Sequence, residues 1–414
     1  MKRIKIGIFG YNRGGHLADN ILALDGDIVA VCEKNEKFLN RAKQKLGDTA
    51  TYYTDFDAFI EHSGMDAVLL ANYFHEHTPY AIRCLEKGIH VLSECIPNAT
   101  MAEGVQLVEA VQKSKAKYML LENYPFMLFN QEMKKVNEGG TLGKILYAEG
   151  EYNHAGNPYA EDFHDLYDDP RHWRLFATRT YYVTHSLAPI MYATGAKPTR
   201  VSAMPVYSPL PKDCNRATYV GDRAAIITTY NDDESVFKFT GCAGFGACEN
   251  SYRLCGEKGM IENVRGLDGK IMLRYNEWTI PENKEKVNFY MPEWDDKDAE
   301  LIKKAGHGGG DFCIIREFFN CILEDKEPIF DVYFATRLAS VAILGHRSML
   351  EYGVPYDIPD FSKQEDRDKF RDDKISPFYY SDGREPNIPC CSHPDYKPSQ
   401  QQIDNFNKLL SQQN

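Results

Sequence analysis

Two glycines and a carboxylate carry the first chemistry legible in this chain. The apolar alternation Ile4, Ile6, Ile8 runs into Gly10-Tyr11-Asn12-Arg13-Gly14-Gly15, and a second apolar run, Ile28 to Cys32, ends at Glu33. A glycine lets the backbone turn sharply off a strand, a second lets it approach a pyrophosphate, and the helix that follows offers unpaired N–H groups to negative charge. Gly10 and Gly15 fill the first and third places. Asn12 fills the second, and its short polar side chain tolerates left-handed backbone angles better than other residues with a Cβ. The alternative is a glycine-rich turn with no ligand, and Glu33 weighs against it. An acid about twenty residues past the glycines takes ribose hydroxyls and repels a 2′-phosphate. Gly10, Asn12, Arg13, Gly15 and Glu33 therefore read as a dinucleotide site for NAD rather than NADP.

The elements that must position this turn follow in alternation. Helical patterns over 37–46, 55–62, 78–87 and 102–114 separate strand-like runs over 66–71, 89–93 and 118–121, and Gly88 is placed to stop the third helix. Strands separated by helices of this length predict a doubly wound parallel sheet, with its ligand crevice at the carboxyl ends of the strands. That rule singles out Asn72, Tyr73 and His77, then Glu94 and Cys95, then Glu122, Asn123 and Tyr124. His77 either serves the cofactor or caps its helix. Glu94 needs a partner if buried, and a nicotinamide or a substrate hydroxyl would provide one. Cys95 reads as a small buried filler, because nothing near it in sequence would lower its pKa.

Past residue 145 the texture changes. Alternation over 145–152, 224–230 and 235–240, with a polar turn at Asn231 to Glu234, predicts antiparallel hairpins, and further strand-like runs cover 259–264 and 270–275. Helices are expected over 311–324 and 333–352. The expected fold class is α/β plus α+β: an N-terminal Rossmann domain over 1–124, an α+β substrate and oligomerisation domain over 125–358 built on an open, mainly antiparallel sheet, and a polar C-terminal extension over 359–414. The extension is expected to lie as an arm on the surface or on a neighbouring subunit. An open sheet exposes a face and edges, which predicts a homo-oligomer.

Composition narrows the partners. The net charge of -12, with no basic stripe, argues against nucleic acid. No stretch approaches the roughly twenty apolar residues of a membrane helix, and the chain starts directly into a strand, so a cytoplasmic protein is expected. Eleven cysteines, an odd number without a repeated short spacing, read as reduced thiols. Cys390 and Cys391 with His393 lack C-x-x-C spacing and read as a solvated loop. The stretch 153–174 holds His154, His164 and His172 among Glu161, Asp162, Asp165, Asp168 and Asp169, in no standard ligand pattern. It reads as a sugar-binding lid or a solvated surface, and no metal site is expected.

With these pieces in place, residues 1–358 resemble the Gfo/Idh/MocA superfamily of oxidoreductases. The carriers are the turn at 10–15, Asp66-Ala-Val with Asn72 and His77, the run from Gly88 to Glu94, Gly143-Lys-Ile, and His185 at a helix start. The resemblance implies a nicotinamide cofactor in the first domain and a sugar on the open sheet of the second. Ordinary dehydrogenases of the superfamily carry Glu-Lys-Pro, where this chain has Glu94-Cys95-Ile96-Pro97, and an Asp four places before the helix histidine, where it has Tyr181. The segment from Leu121 to Tyr124, Trp173-Arg174, the run from Tyr182 to Pro189 and the glycine-rich run from Gly306 to Asp311 resemble the branch containing NAD-dependent glycosidases of the α-N-acetylgalactosaminidase type. Such enzymes oxidise a ring carbon transiently, eliminate the aglycone, add water and return the hydride.

That chemistry gives each candidate a role. His185 would accept a hydroxyl proton, since histidine titrates near neutral pH; a core histidine capping a helix is the plainer alternative. Tyr182 would accept a C–H proton beside the ketone if a positive charge such as Arg174 or the nicotinamide ring lowered its pKa. Trp173 and Arg174, with Asn123, are expected beside the cofactor. Tyr124, Tyr152, His154 and His307 are expected to hold the sugar, although His307 could equally serve an N-cap. Stopping at the keto-sugar, or a silent sugar- and NAD-binding regulator, are the alternatives.

Overall fold

Ile6 and Ile8, the alternating residues that open the sequence, are fully buried in β1 (Lys5–Phe9) of a computed structural model that describes residues 3–161 and 169–413. The chain continues through α1 (Tyr11–Ala23), β2 (Asp27–Cys32), α2 (Glu36–Leu46), β3 (Thr51–Tyr53), α3 (Phe56–Ile60), β4 (Ala67–Leu70), α4 (His77–Glu86), β5 (His90–Glu94), α5 (Met101–Lys113) and β6 (Tyr118–Leu121). The six strands pair in parallel in the order β3-β2-β1-β4-β5-β6. Sequence order reverses on either side of β1, which makes the crevice beyond β1 and β4 a switch point. β4 and β6 are buried at every position, as a parallel sheet covered on both faces requires. Thr100 starts α5 with a full capping box to Glu103.

α6 (Leu128–Glu138) leads into β7 (Ile145–Asn153), α7 (Thr184–Thr194), β8 (Pro198–Tyr207), β9 (Asp222–Asn231), β10 (Val236–Gly241), β11 (Glu249–Gly256), β12 (Gly259–Asn263), β13 (Ile271–Tyr275) and β14 (Val287–Tyr290). Then come α8 (Ala299–Lys304), α9 (Gly310–Leu323), α10 (Val332–Leu350), β15 (Tyr356–Asp357), α11 (Gln364–Phe370) and α12 (Gln400–Gln413). The second sheet has the order β14-β13-β12-β11-β7-β10-β9-β8-β15. It is antiparallel except where β10 runs parallel to β7. The Asn231 to Glu234 turn closes the expected β9–β10 hairpin, with Val236 opposite Tyr230. Among the described residues no helix is long and apolar enough to cross a membrane.

The chain divides into two compact units. The first comprises the described residues up to Lys135, with Met291–Ala339 and Pro359–Asp373; the second comprises Val136–Tyr290, Ser340–Ile358 and the described residues from Lys374 onward. The stretch that holds His307 and Asp311 thus packs in the Rossmann unit, where α9 lies against α1.

The C-terminal extension, expected as an arm on the surface or on a neighbouring subunit, has residues buried within this chain. Arg367 is buried in the first unit and donates to Phe361 O at 2.6 Å. Phe378 and Cys391 are buried in the second. Asp222, wholly buried, accepts from Ser392 N at 2.8 Å and from Ser392 Oγ at 2.5 Å. The Cys390-Cys391 stretch is therefore a pinned segment rather than a solvated loop. A few apolar and hydrogen-bonding residues anchor a polar background, and average polarity hides them.

Candidate active site

The dinucleotide turn forms as its residue types require, with two changes of role. Gly10 has φ 91°, and a Cβ there would lie 2.3 Å from Ala71 O, so only glycine turns the chain off β1. The close packing of α1 on β1 falls to Gly14, whose Cβ would lie 2.5 Å from Ile8 Cγ2, and not to Gly15, which meets only the Tyr11 ring. Asn12 is exposed in the first turn of α1 and is absent from the described positive-φ residues. Its tolerance of left-handed angles is therefore unused. Glu33, buried at the end of β2, accepts from Tyr11 N and Asn35 N, both at 2.8 Å. A carboxylate has further lone pairs for ribose hydroxyls.

Beside this turn lie two buried acceptors without hydrogen-bond partners, Asn72 Oδ1 and His77 Nε2. His77 Nδ1 faces Ile96 O at 2.8 Å, which fixes Nδ1 as the donor and leaves Nε2 to accept; burial lowers the ring's pKa and keeps it neutral. Buried acceptors left unpaired cost roughly 1–3 kcal/mol each. Donors on NAD would satisfy them, so the strand ends fit a dinucleotide.

Asp311 gathers the polar residues of this unit. Its Oδ1 accepts from Arg13 at 2.9 Å and from Asn123 Nδ2 at 2.7 Å, and its Oδ2 lies 2.9 Å from His307 Nδ1. Burial alone would raise the Asp311 pKa; the bond to His307 and the charge of Arg13 outweigh it and hold the carboxyl well below its usual range. Arg13 also donates from Nε to Glu94 Oε1 at 2.6 Å. The partner of Glu94 is therefore Arg13, where a nicotinamide or substrate hydroxyl was expected. Tyr124 packs against the His307 ring at 5.8 Å. Gly306, Gly308 and Gly309 leave the His307 loop free to take its shape, His307 itself having φ 52°. Cys95 is buried, follows β5, and donates from Sγ to Glu122 Oε2 at 3.0 Å.

In the second unit His185 is the second residue of α7. The helix start can approach β7 because residue 150 is glycine: a Cβ there would lie 2.0 Å from Ser186 O. Tyr252 Oη donates to His185 O at 2.5 Å, and Ser186 Oγ to Thr240 O at 2.6 Å, fixing the turn from both sides. Around the imidazole, Tyr152 stands edge-on at 5.0 Å and Tyr182 at 5.9 Å. Tyr152 stacks on His154 at 5.6 Å and 8°, and Trp173 on Tyr182 at 6.5 Å and 21°. The Arg174 guanidinium lies 4.6 Å over the Trp173 ring, which also stacks on Tyr182. Tyr181, at the place of the superfamily aspartate, is a core residue against Phe378 and His346.

The structure thus assembles two groups from the expected residues. Glu94, Arg13, Asn123, Tyr124 and His307 meet in the first unit, and Tyr152, His154, Trp173, Arg174, Tyr182 and His185 in the second. Asp311 and Gly14 escaped the sequence reading as site residues, whereas Glu122, which the strand-end rule singles out, accepts from Cys95. Asp162, His164, Asp165 and Asp168 of the expected lid lie outside the described residues. Among the described residues no three His, Cys, Asp or Glu side chains converge as a metal would need.

Residues 4–122 match the oxidoreductase family with an NAD-binding Rossmann fold, Gfo/Idh/MocA, and residues 211–367 match the C-terminal domain of glycosyl hydrolase 109. The chain is an NAD-dependent oxidoreductase whose NAD-binding part is similar to the Gfo/Idh/MocA family. Its cofactor is NAD. Along most of its length it is similar to glycosyl hydrolase family 109: a family 109 protein of Streptomyces filamentosus is 25% identical over 413 residues, covering 87% of this chain and 78% of that protein. A second, from Solibacter usitatus, is 22% identical over 405 residues, covering 87% and 88%. Among solved structures, levoglucosan dehydrogenase in complex with NADH and levoglucosan aligns at TM-score 0.73 with 17% identity, covering 86% of this chain and 100% of that one. An aldose-aldose oxidoreductase of Caulobacter crescentus complexed with glycerol aligns at 0.67 with 18% identity, covering 86% and 100%. These likenesses establish a shared fold.

Proposed function

We propose that this oxidoreductase acts on a sugar or glycoside by hydride transfer at a ring hydroxyl and carries the reaction on to glycosidic bond cleavage. The observation that carries the reading is the His185 group, a polar imidazole at a helix start flanked edge-on by Tyr152 and Tyr182. Aromatic faces suit the C–H faces of a sugar ring, and the imidazole suits its hydroxyls. When bound, NAD supplies an acceptor for one hydride from a ring carbon, so that a C–OH becomes C=O.

His185 takes the hydroxyl proton as the C–H bond breaks. Tyr182 takes the proton from the carbon beside the new carbonyl, and the aglycone leaves with the C–O bonding pair. Water then adds across the C=C left behind, Tyr182 gives its proton back to carbon, and return of the hydride to the carbonyl with the proton held by His185 restores the C–OH. His307 has one nitrogen turned to the Asp311 carboxylate, which orients the ring and frees the other nitrogen to exchange a proton with the leaving group or with water. Tyr124, Tyr152 and His154 hold hydroxyls. Asn72, His77, Asn123 and Glu33 hold the cofactor, with Arg13 and Glu94 bracing its turn. Cys95, bonded to Glu122 where related dehydrogenases carry a lysine, supports cleavage over simple oxidation. Net oxidation to a keto-sugar is the second reading, favoured by the fold's likeness to levoglucosan dehydrogenase.

We further place the protein in a reducing, cytoplasmic setting as a homo-oligomer; all eleven cysteines are free, and Met204, Tyr230 and Val236 are exposed on the second sheet. The test of function is a panel of aryl glycosides incubated with the enzyme and NAD⁺. Aglycone release without net NADH supports cleavage, NADH formed one for one with an intact glycoside supports the second reading, and neither product with any glycoside contradicts both.

A further inference from the structure

Arg179 and Arg223 are half-buried and share one corner of the second sheet. A Cβ on Gly244 would lie 3.6 Å from Arg223 Cδ and 3.7 Å from a terminal nitrogen of Arg179, so both side chains flank the same glycine. Arg179 Nε donates to Asp222 O at 2.9 Å. Among the described residues no carboxylate pairs with either guanidinium: the groups acting on Arg223 are Arg179, Cys214 and Tyr396. The adjacent carboxylate, Asp222, has both oxygens occupied by Ser392. Elsewhere in this acidic chain Arg13, Arg200, Arg253, Arg316 and Arg371 each have a carboxylate. Burial, followed by the repulsion of Arg179, lowers the Arg223 pKa. Two like charges brought together and partly dried need a compensating anion, and among the described residues no carboxylate provides one.

The corner adjoins the His185 group. Arg223 lies two residues before Ala225, which pairs with Gly241, and a Cβ on Gly241 would meet Arg179 O at 2.3 Å. Gly244 N donates to Arg223 O at 2.6 Å, while His154 N donates to Ala243 O at 2.8 Å, so neighbouring residues of one loop tie the arginine corner to the strand end that carries Tyr152 and His154. In the sheet order β7-β10-β9, two strand spacings, roughly 10 Å, separate these ends.

We propose that Arg179 and Arg223 form an anion subsite that takes a carboxylate or a sulfate ester borne by the glycoside. The fork of guanidinium donors matches the oxygen pair of either group. The inference rests on the reading of Tyr152, His154 and His185 as the sugar site, and it narrows the substrate class to acidic glycosides.

Two measurements on the full chain loaded with NAD⁺ test it. The first follows thermal unfolding with sodium sulfate against sodium chloride at equal ionic strength, in the wild type and in R223Q, a change that removes no ion pair among the described residues. Saturable stabilisation by sulfate that is absent in R223Q and partly kept in R223K is expected; equal behaviour of wild type and R223Q overturns the subsite. The second compares binding of a neutral aryl glycoside with its uronate and its sulfated counterparts by calorimetry. An advantage of about tenfold or more for one charged ligand, shrinking with salt and falling towards unity in R223Q, is expected, and the better of the two tells carboxylate from sulfate. No advantage for either charged glycoside overturns the substrate role. If sulfate binds through Arg223 while no glycoside of any charge binds, the anion subsite stands and the sugar reading falls.

Discussion

His307 Nδ1 lies 2.9 Å from Asp311 Oδ2, in a loop of glycines that opens α9, and the same carboxylate is held by Arg13 from the dinucleotide turn. The imidazole is thus oriented by the residue that also braces the cofactor loop. His307→Ala is expected to lower kcat by roughly 10²–10⁴ while NAD, measured after denaturation, stays bound. Normal turnover would remove His307 from the proton transfers.

His185→Ala is expected to abolish turnover with cofactor content unchanged. Tyr182→Phe, which keeps the stacking on Trp173 but removes the hydroxyl, is expected to block aglycone release while leaving ring oxidation measurable as reduced cofactor. Loss of both steps together would place Tyr182 earlier than the C–H abstraction.

Gly150→Ala puts a Cβ 2.0 Å from Ser186 O and must displace the start of α7. A loss of about 1–3 kcal/mol of stability with at least a tenfold loss of kcat is expected, read by denaturant titration and steady-state kinetics. Lost stability with full kcat would show that the position of His185 is not critical.

His346 is wholly buried, with Nδ1 facing Thr178 Oγ1 at 2.8 Å and Nε2 facing Pro389 O at 2.7 Å, so it joins the segment leading to Tyr182 to the C-terminal extension. Burial lowers its pKa from 6.5 to about 4. The unfolded chain therefore takes up the proton first. The stability this residue supports is full above its unfolded pKa and declines as pH falls towards about 4, by about 3 kcal/mol over the window. Unfolding free energies measured across that range should show the decline, and His346→Gln should flatten it; an unchanged slope would assign it to other groups.

The Rossmann half was legible because its signals are local: the Gly10 turn, the apolar runs of β4 and β6, and the stop at Gly88. The strand-end rule put Asn72, His77, Glu94 and Asn123 at or just past the carboxyl ends of β4, β5 and β6 for the same reason. It could not name their partners, since Arg13 and Asp311 meet across 298 positions of sequence and pair through a fold that no local pattern encodes. Gly14 was hidden by an adjacent glycine that fits the motif spacing equally well. Tyr181 and the C-terminal extension illustrate a further limit. Their burial depends on Phe378, Pro389 and Ser392 finding hosts far back in the chain, and polar composition gives no sign of it. Arg179 and Arg223 were invisible because charge deficiency is a property of surroundings, not of spacing.

Redox-neutral turnover of NAD on a glycoside is tested by rapid mixing under conditions where only the bound equivalent of cofactor is present. Enzyme loaded with stoichiometric NAD⁺ is mixed rapidly with excess aryl glycoside, and the near-ultraviolet band of reduced nicotinamide is followed together with the aglycone. The account predicts that the reduced band rises and settles at a sub-stoichiometric steady level while aglycone release continues through many turnovers without added NAD⁺. A band that rises to one equivalent and stays there, with the glycosidic bond intact, would contradict it.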